Sequence, residues 1–481
     1  MKRLLLFLIM LTLCLSSCAL ADPAYDFSVA GSYEITLTDA LVKGTNAPAI
    51  SVSGSDTKLT ITVKDGATCT LVGDYGFAGI AVDNAELVIR CESAGEGHTC
   101  DASCGKLIVN GDGSAAGIGS NSGASFKGTI TIAGGQITAN GSDFAAGIGS
   151  GDYGAFSGKV IITGGIVKAN GGGYGAGIGS ANGIMDGSII ISGGSVEAIG
   201  TDSAAGIGSG FNAYITKCTM NGTVEITGGS VNAKGGGGGA GIGSGYGSGV
   251  DGTIKISGGT VTAAGQIGGA GIGSGSGSEM NGTIKISGGT VTANGDAYAA
   301  GIGAGDRGNL SGMVEITGGT VYANGGVNAA GIGAGVIAEM SGKVIVRSAP
   351  VTAIAGEHRM TSSQPASAIG ASAGGTLTDD AVINVDPILN LIAVKAGADA
   401  ASASPLEGSP FADKNCLKEA LKEKKYAKFE YVAPVATPIL SPAPAASVPE
   451  TGDSTNLTLL ALLAAVGMTG MTLILRKKNE A

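Results

Sequence analysis

Between Gly117 and Thr352 apolar and polar residues alternate in short runs, and the runs repeat. In Thr283-Ile284-Lys285-Ile286-Ser287 the isoleucines fall on one side, with Thr283 and Lys285 on the other. That is the period of a strand. Gly288-Gly289 interrupts the run, and Thr290-Val291-Thr292-Ala293 follows as a second strand with Val291 and Ala293 on one side. Asn294-Gly295 reads as a turn pair, because both residues tolerate positive φ. Gly301-Ile302-Gly303 then offers a third inward aliphatic.

The Gly-Ile-Gly word starts at Gly117, Gly147, Gly177, Gly206, Gly241, Gly271, Gly301 and Gly331, at spacings of 30, 30, 29, 35, 30, 30 and 30 residues. A unit this short cannot bury its apolar side alone and must stack on its neighbours. Three short strands and three glycine corners per unit predict an all-β fold. It is a single-stranded parallel β-helix (β-solenoid) of about 30 residues per coil, with Ile over Ile and Val over Val. At about 4.8 Å per coil, eight coils rise about 38 Å.

Helical repeats fit poorly: the array lacks apolar residues at helical spacing, and each internal glycine would cost about 1 kcal/mol relative to alanine. No proline occurs between Pro48 and Pro350, as expected where every strand needs its N–H for the next coil. Glycine is not at every third position, which excludes collagen.

The flanks divide the chain further. Lys2-Arg3, the apolar run Leu4–Leu15 and Ala19-Leu20-Ala21 form a secretory leader over residues 1–21. Leu15-Ser16-Ser17-Cys18 also resembles a lipoprotein signal, ranked second because the C-terminus carries its own anchor. Residues 22–111 hold looser strand patterns, such as Leu59, Ile61 and Val63, and Phe77-Ala78-Gly79-Ile80 reads as an early copy of the Gly-Ile-Gly word. This is expected to be the N-terminal cap and first irregular coils, followed by the regular array over 112–356. Phe211–Asn221 and Glu357–Ser367 lengthen individual coils as surface loops. Residues 357–432 hold the last coils and a C-terminal cap in which Cys416–Lys428 is the one helical signal, expected to cover the final open edge. The six lysines between Lys414 and Lys428 read as a solvated face. Residues 433–447 are a Pro/Ala-rich extended spacer.

The tail carries the most specific motif. Val448-Pro449-Glu450-Thr451-Gly452 precedes the apolar run Leu457–Leu475 and then Arg476-Lys477-Lys478. As a helix, 457–475 spans about 28 Å, enough for a transmembrane segment. Residues 448–481 resemble the LPxTG cell-wall sorting signal of Gram-positive surface proteins, with Val448 in place of leucine. The resemblance implies that a sortase cleaves between Thr451 and Gly452 and joins Thr451 to peptidoglycan, so that residues 457–475 hold the membrane only transiently. A plain membrane anchor is the alternative.

Composition adds restraint. The 481 residues include 89 glycines, with 14% charged and no tryptophan. Formal charge is −10; removing the +2 of the leader and the +1 beyond Thr451 leaves −13. That balance argues against nucleic-acid binding. Cys91, Cys100 and Cys104 with His98 invite a zinc reading, but C-x8-C-x3-C matches no common zinc motif and the fourth ligand is unconvincing. A disulfide or packed thiols is preferred, and no metal or cofactor is expected.

The array also resembles glycine-rich β-helix regions of bacterial adhesin-like and carbohydrate-binding surface proteins, and shares its coil with pectate-lyase-like enzymes. The enzymes need clustered carboxylates or Ca²⁺ ligands, whereas Asp143, Asp152, Asp186, Asp202, Asp251, Asp296 and Asp306 are expected to lie scattered through the turns. No catalytic residues are assigned. The Thr-x-Thr words at Thr260/Thr262 and Thr290/Thr292 resemble ice-binding solenoids but occupy only two coils. Phe144, Tyr174 and Tyr298 each stand three residues before a Gly-Ile-Gly word and are expected to project at one corner, where rings can stack on sugars. The resulting expectation is a monomeric wall-anchored protein, extracellular and non-catalytic, meeting polysaccharide or a host glycan or protein. A polysaccharide lyase or hydrolase, or a structural stalk, is the alternative.

Overall fold

The computed structural model describes residues 20–21, 25–95, 97–211, 218–347, 349–360, 364–385, 392–406 and 414–431. Residues 1–19 of the expected 1–21 leader, the spacer, the sorting motif and the apolar span 457–475 lie outside the described residues, as does Tyr214. Leu20–Ala21, at the end of the expected leader, pair with Leu41–Lys43. No helix among the described residues is long and apolar enough to cross a membrane.

The described residues form an all-β parallel solenoid of about 30 residues per coil. Each regular coil contributes a first strand, exemplified by Thr129–Ile132, and a second, exemplified by Gln136–Asn140. A third strand of two residues follows, such as Ile148–Gly149. The third strands stack into one twelve-stranded parallel ladder. Ile254 pairs with Ile284, and Val261 with Val291, in register. All four side chains are fully buried. Like sits on like because a one-residue slip would turn the whole apolar set outward. Each fully buried Ile or Val stabilises the fold by about 1.5–3 kcal/mol.

The chain before residue 112 belongs to the same stack. Ile50 pairs with Ile80 and Ile80 with Ile118, so the Phe77–Ile80 word occupies the Gly-Ile-Gly position. In the coils of Thr253–Gln266, Thr283–Asn294 and Met313–Asn324 the first two strands run on as one, with a register irregularity at the Gly-Gly pair, where Gly289 takes φ +81°.

The structure departs from sequence expectation in three places. A fourth inward position exists: single bridges link Phe126, Phe156, Met185, Met220, Val250, Met280, Leu310 and Met340 in turn. Every one of these side chains is fully buried. One residue per coil has no periodicity within the coil, so alternation cannot reveal it.

Asn294-Gly295 is not a positive-φ turn: Asn294 ends a strand, and the amides of this phase hydrogen-bond between coils. Asn140 Nδ2 donates to Asn110 Oδ1 at 2.7 Å, Asn170 to Asn140 at 2.7 Å, and Asn324 to Asn294 at 2.8 Å. An asparagine ladder satisfies each amide with its copy one coil away.

The C-terminal helix is shorter than expected, spanning Lys414–Leu421. Tyr426–Tyr431 instead forms a strand, with Ala427 and Phe429 fully buried, so alternating inward residues override the lysine-rich helix pattern. This strand lies antiparallel between Val351–Ile354 and Ile392–Gly397. Covering the strand edge is therefore the work of a strand, while the helix buries Leu417 and Leu421.

Candidate functional site

The Gly-Ile-Gly corner is where the chain can display side chains without disturbing the core. Its second glycine adopts positive φ (+135° at Gly273), and a Cβ there would overlap the Gly303 carbonyl oxygen. The backbones of successive coils touch at this corner, and the turns on either side project outward.

On those turns an aromatic ladder forms. Phe144 and Tyr174 stack with ring centroids 5.1 Å apart and planes 16° apart. Tyr174 meets Phe211 at 4.7 Å and 52°, and Phe211 meets Tyr246 at 5.6 Å and 48°. Phe144 and Tyr246 are 40% and 45% exposed, with the middle rings half-buried. Two of the three aromatics expected at one corner are thus together. Tyr298 holds the same phase and is exposed, but has no ring contact among the described residues. The two coils before it place Gly238 and Gly268 in that phase.

Phe211 and Tyr246 escape a count of positions before the Gly-Ile-Gly word because they follow it, four residues after Ile207 and Ile242. The turn after one word packs on the turn before the preceding one: the Phe211 N–H donates to the Tyr174 carbonyl at 3.1 Å. That cross-coil contact brings two sequence phases into one column.

Two shallow polar depressions lie elsewhere on the surface. One, of about 390 Å³, is lined by Lys127, Ser157, Lys159, Asp186 and Thr223 among others. The second, of about 220 Å³, includes Asp251, Glu279 and Asn281. The acids prove less scattered than expected. Asp186 and Asp251 share one phase, just before the glycine that leads into a first strand, with Asn221 and Asn281 alternating between them. The Asn221 amide donates to Asp186 at 2.9 Å, and the Asn281 amide to Asp251 at 3.0 Å and Glu279 at 3.3 Å. Each of these carboxylates accepts an amide hydrogen bond.

Burial raises the carboxyls of Asp152 and Asp306 above the ordinary range, each opposed by hydrogen bonding or a neighbouring charge. These two aspartates share a phase but sit five coils apart, about 24 Å along the axis, too far to act as a pair.

The thiols follow the packed-thiol alternative of the sequence reading rather than the disulfide. No disulfide joins Cys69, Cys91, Cys100, Cys104 or Cys218 among the described residues, and all but Cys100 are buried. Burial pushes the Cys218 thiol up to about 12, with the Asp152 charge adding to it. Cys91, His98, Cys100 and Cys104 bring their ligand atoms within 4.8 Å of one another. The fourth ligand that spacing made unconvincing is in place, because the coil folds the end of one strand beside the start of the next. Burial, with the crowding of the Cys91 and Cys104 thiols, pushes Cys100 up to about 12 against the Gly135 N–H bond that opposes it.

A family model for the β-helix repeat matches residues 130–152, 160–182, 189–211, 224–246, 254–276, 284–306 and 314–336. No curated protein and no solved structure matches the chain.

Proposed function

We propose that this β-helix repeat protein is a cell-surface, non-catalytic binder, tethered to a Gram-positive wall through residues 448–481 and holding polysaccharide along its aromatic corner. The observation that carries the binding reading is the ladder Phe144, Tyr174, Phe211 and Tyr246, four aromatics on consecutive coils with exposed rings at both ends. Aromatic faces stack on the apolar faces of sugar rings, and the tilts at Phe211 and Tyr246 leave the column uneven enough to admit them. A polymer crossing several coils binds through summed weak contacts. The anchoring reading rests on the order Val448–Gly452, apolar run, basic cluster.

Binding is tested by passing the full chain and its Tyr246→Ala variant over insoluble polysaccharides and a glycan array. Retention of the wild type and loss in the variant supports the reading; no retention of the wild type on any glycan overturns it. Anchoring is tested with Thr451→Ala in a sortase-bearing host. The variant should become detergent-extractable while the wild type stays with the wall, and detergent-soluble wild type refutes attachment.

A further inference from the structure

The loop between Glu92 and Gly105 replaces a short corner with fourteen residues, and its described residues form no strand. Its sequence, Glu-Ser-Ala-Gly-Glu-Gly-His-Thr-Cys-Asp-Ala-Ser-Cys-Gly, contains no large apolar side chain to pack it against the coil. Loops of this length inside a compact fold need another source of order. What the loop does contain is His98, Cys100 and Cys104, folded onto Cys91 at the end of the strand Glu86–Cys91.

Three of the six ligand-to-ligand edges lie near those of a metal tetrahedron, and all six are within 4.8 Å. Cys91 Sγ lies 3.7 Å from Cys100 Sγ and 3.7 Å from His98 Nε2, and His98 Nε2 lies 3.2 Å from Cys104 Sγ. Tetrahedral zinc with Zn–S near 2.3 Å and Zn–N near 2.05 Å places its sulfurs about 3.8 Å apart and its sulfur–nitrogen edges at about 3.6 Å. A disulfide would need about 2.05 Å, and pairing Cys91 with Cys100 would leave Cys104 and His98 facing a gap.

The surroundings suit thiolates. The Gly135 N–H donates to Cys100 Sγ at 3.1 Å, a backbone hydrogen bond of the kind that supports metal-bound sulfur. A Cβ at Gly134 would sit 3.1 Å from Cys91 Sγ and 3.4 Å from Cys100 Sγ, so the next coil leaves the sulfurs room there. Cys91 and Cys104 are buried, and His98 reaches in from the exposed side.

We propose that Cys91, His98, Cys100 and Cys104 form a structural Cys₃His zinc site that clamps the 92–105 loop onto the solenoid. Four protein ligands close the coordination sphere, which marks a structural rather than a catalytic site. Binding replaces the thiol protons with one divalent ion, releasing protons to solvent, and involves no redox step.

The test uses the full chain purified without chelator, assayed for zinc by elemental analysis and for oxidation by intact mass. About one zinc per chain is expected in the wild type, falling at least five-fold in His98→Ala and Cys100→Ser, with the β-sheet circular dichroism unchanged. Cobalt substitution should give thiolate charge-transfer bands and tetrahedral d–d bands that both variants lose. His98 is on the exposed side, so its variant keeps the test valid if Cys100→Ser folds poorly. A wild-type chain two mass units light with no zinc indicates a disulfide and overturns the proposal, as does a metal-free chain whose cysteines all react with an alkylating agent.

Discussion

The Oγ of Ser150 accepts a 3.0 Å hydrogen bond from the backbone N–H of Ala181, one coil on, and both residues are completely buried. Ser120 does the same for Gly151 at 2.9 Å, and Ser244 for Gly275 at 3.1 Å. The serines after five of the Gly-Ile-Gly words, Ser120, Ser150, Ser180, Ser244 and Ser274, thus receive a backbone donor that the parallel ladder leaves over, whereas the buried Ser209 hydroxyl has no partner among the described residues and Ala304 and Ala334 replace the serine in later coils. Replacing Ser150 with alanine strands the Ala181 N–H without water or partner. The expected cost is about 1–3 kcal/mol, read as a lower urea midpoint, and an unchanged midpoint would show that the bond carries no weight.

Gly273→Ala should be at least as harmful. Its φ of +135° is one that L-residues rarely adopt, and the added methyl meets the Gly303 carbonyl rather than a movable side chain. Strain alone is worth about 1–3 kcal/mol. Gly277→Ala is the control: its φ is also positive at +65°, but a Cβ there meets nothing within 4 Å. Thermal unfolding should separate the two, with Gly273→Ala the lower.

Asp152 makes stability depend on pH in an identifiable direction. Its carboxyl is raised by burial, against opposing bonds from the Tyr153 N–H and the Asn182 side chain. A raised carboxyl favours folding while protonated, so its contribution is fully present below the unfolded value of 3.8 and is lost as pH rises through the higher folded value. Asp152→Asn should therefore raise the melting temperature at pH 7, with the gain shrinking towards zero near pH 3.5. A gain that is equal at both pH values would assign the effect to packing.

The ladder makes a prediction about which ring matters. Tyr174 touches both Phe144 and Phe211, so Tyr174→Ala breaks the column in its middle, whereas Tyr298→Ala removes a ring outside it. Losing two ring contacts should cost stability about 1–3 kcal/mol. Polysaccharide retention should fall for Tyr174→Ala and persist for Tyr298→Ala. Equal loss in both would move the binding face elsewhere.

What could be read in advance follows from how the information is written. Ile284 and Ile286 alternate with Thr283 and Lys285 within five residues, so their inward side is local information, and the 30-residue period supplies the stacking partner. The rung of Phe126, Phe156 and Met185 has no local alternation and emerges only when coils are superposed. The same holds for Phe211: its contact with Tyr174 joins turns on opposite sides of the Gly-Ile-Gly word. Cys91 and Cys104 are thirteen positions apart across a loop of unusual length, and ligand spacing learned from short motifs does not anticipate a coil that returns one end to the other. At Tyr426–Tyr431 the lysines suggest a helix, but Ala427 and Phe429 face inward at a strand's period.

The last rungs have a consequence for how the molecule meets its own copies. A stack of parallel strands is a template that another chain could in principle extend at either end, giving filaments. Here Tyr426–Tyr431 reverses the strand direction, and beyond it Ile392–Gly397 pairs with a two-residue strand, Ser404–Pro405. Lys395 stands opposite Pro405, a residue with no N–H to offer an incoming strand. Ile392–Gly397 restores the direction of Val351–Ile354 and Ser404–Pro405 reverses it again, so growth of that column meets a two-residue strand of opposite polarity and a missing donor, a built-in stop against extension there.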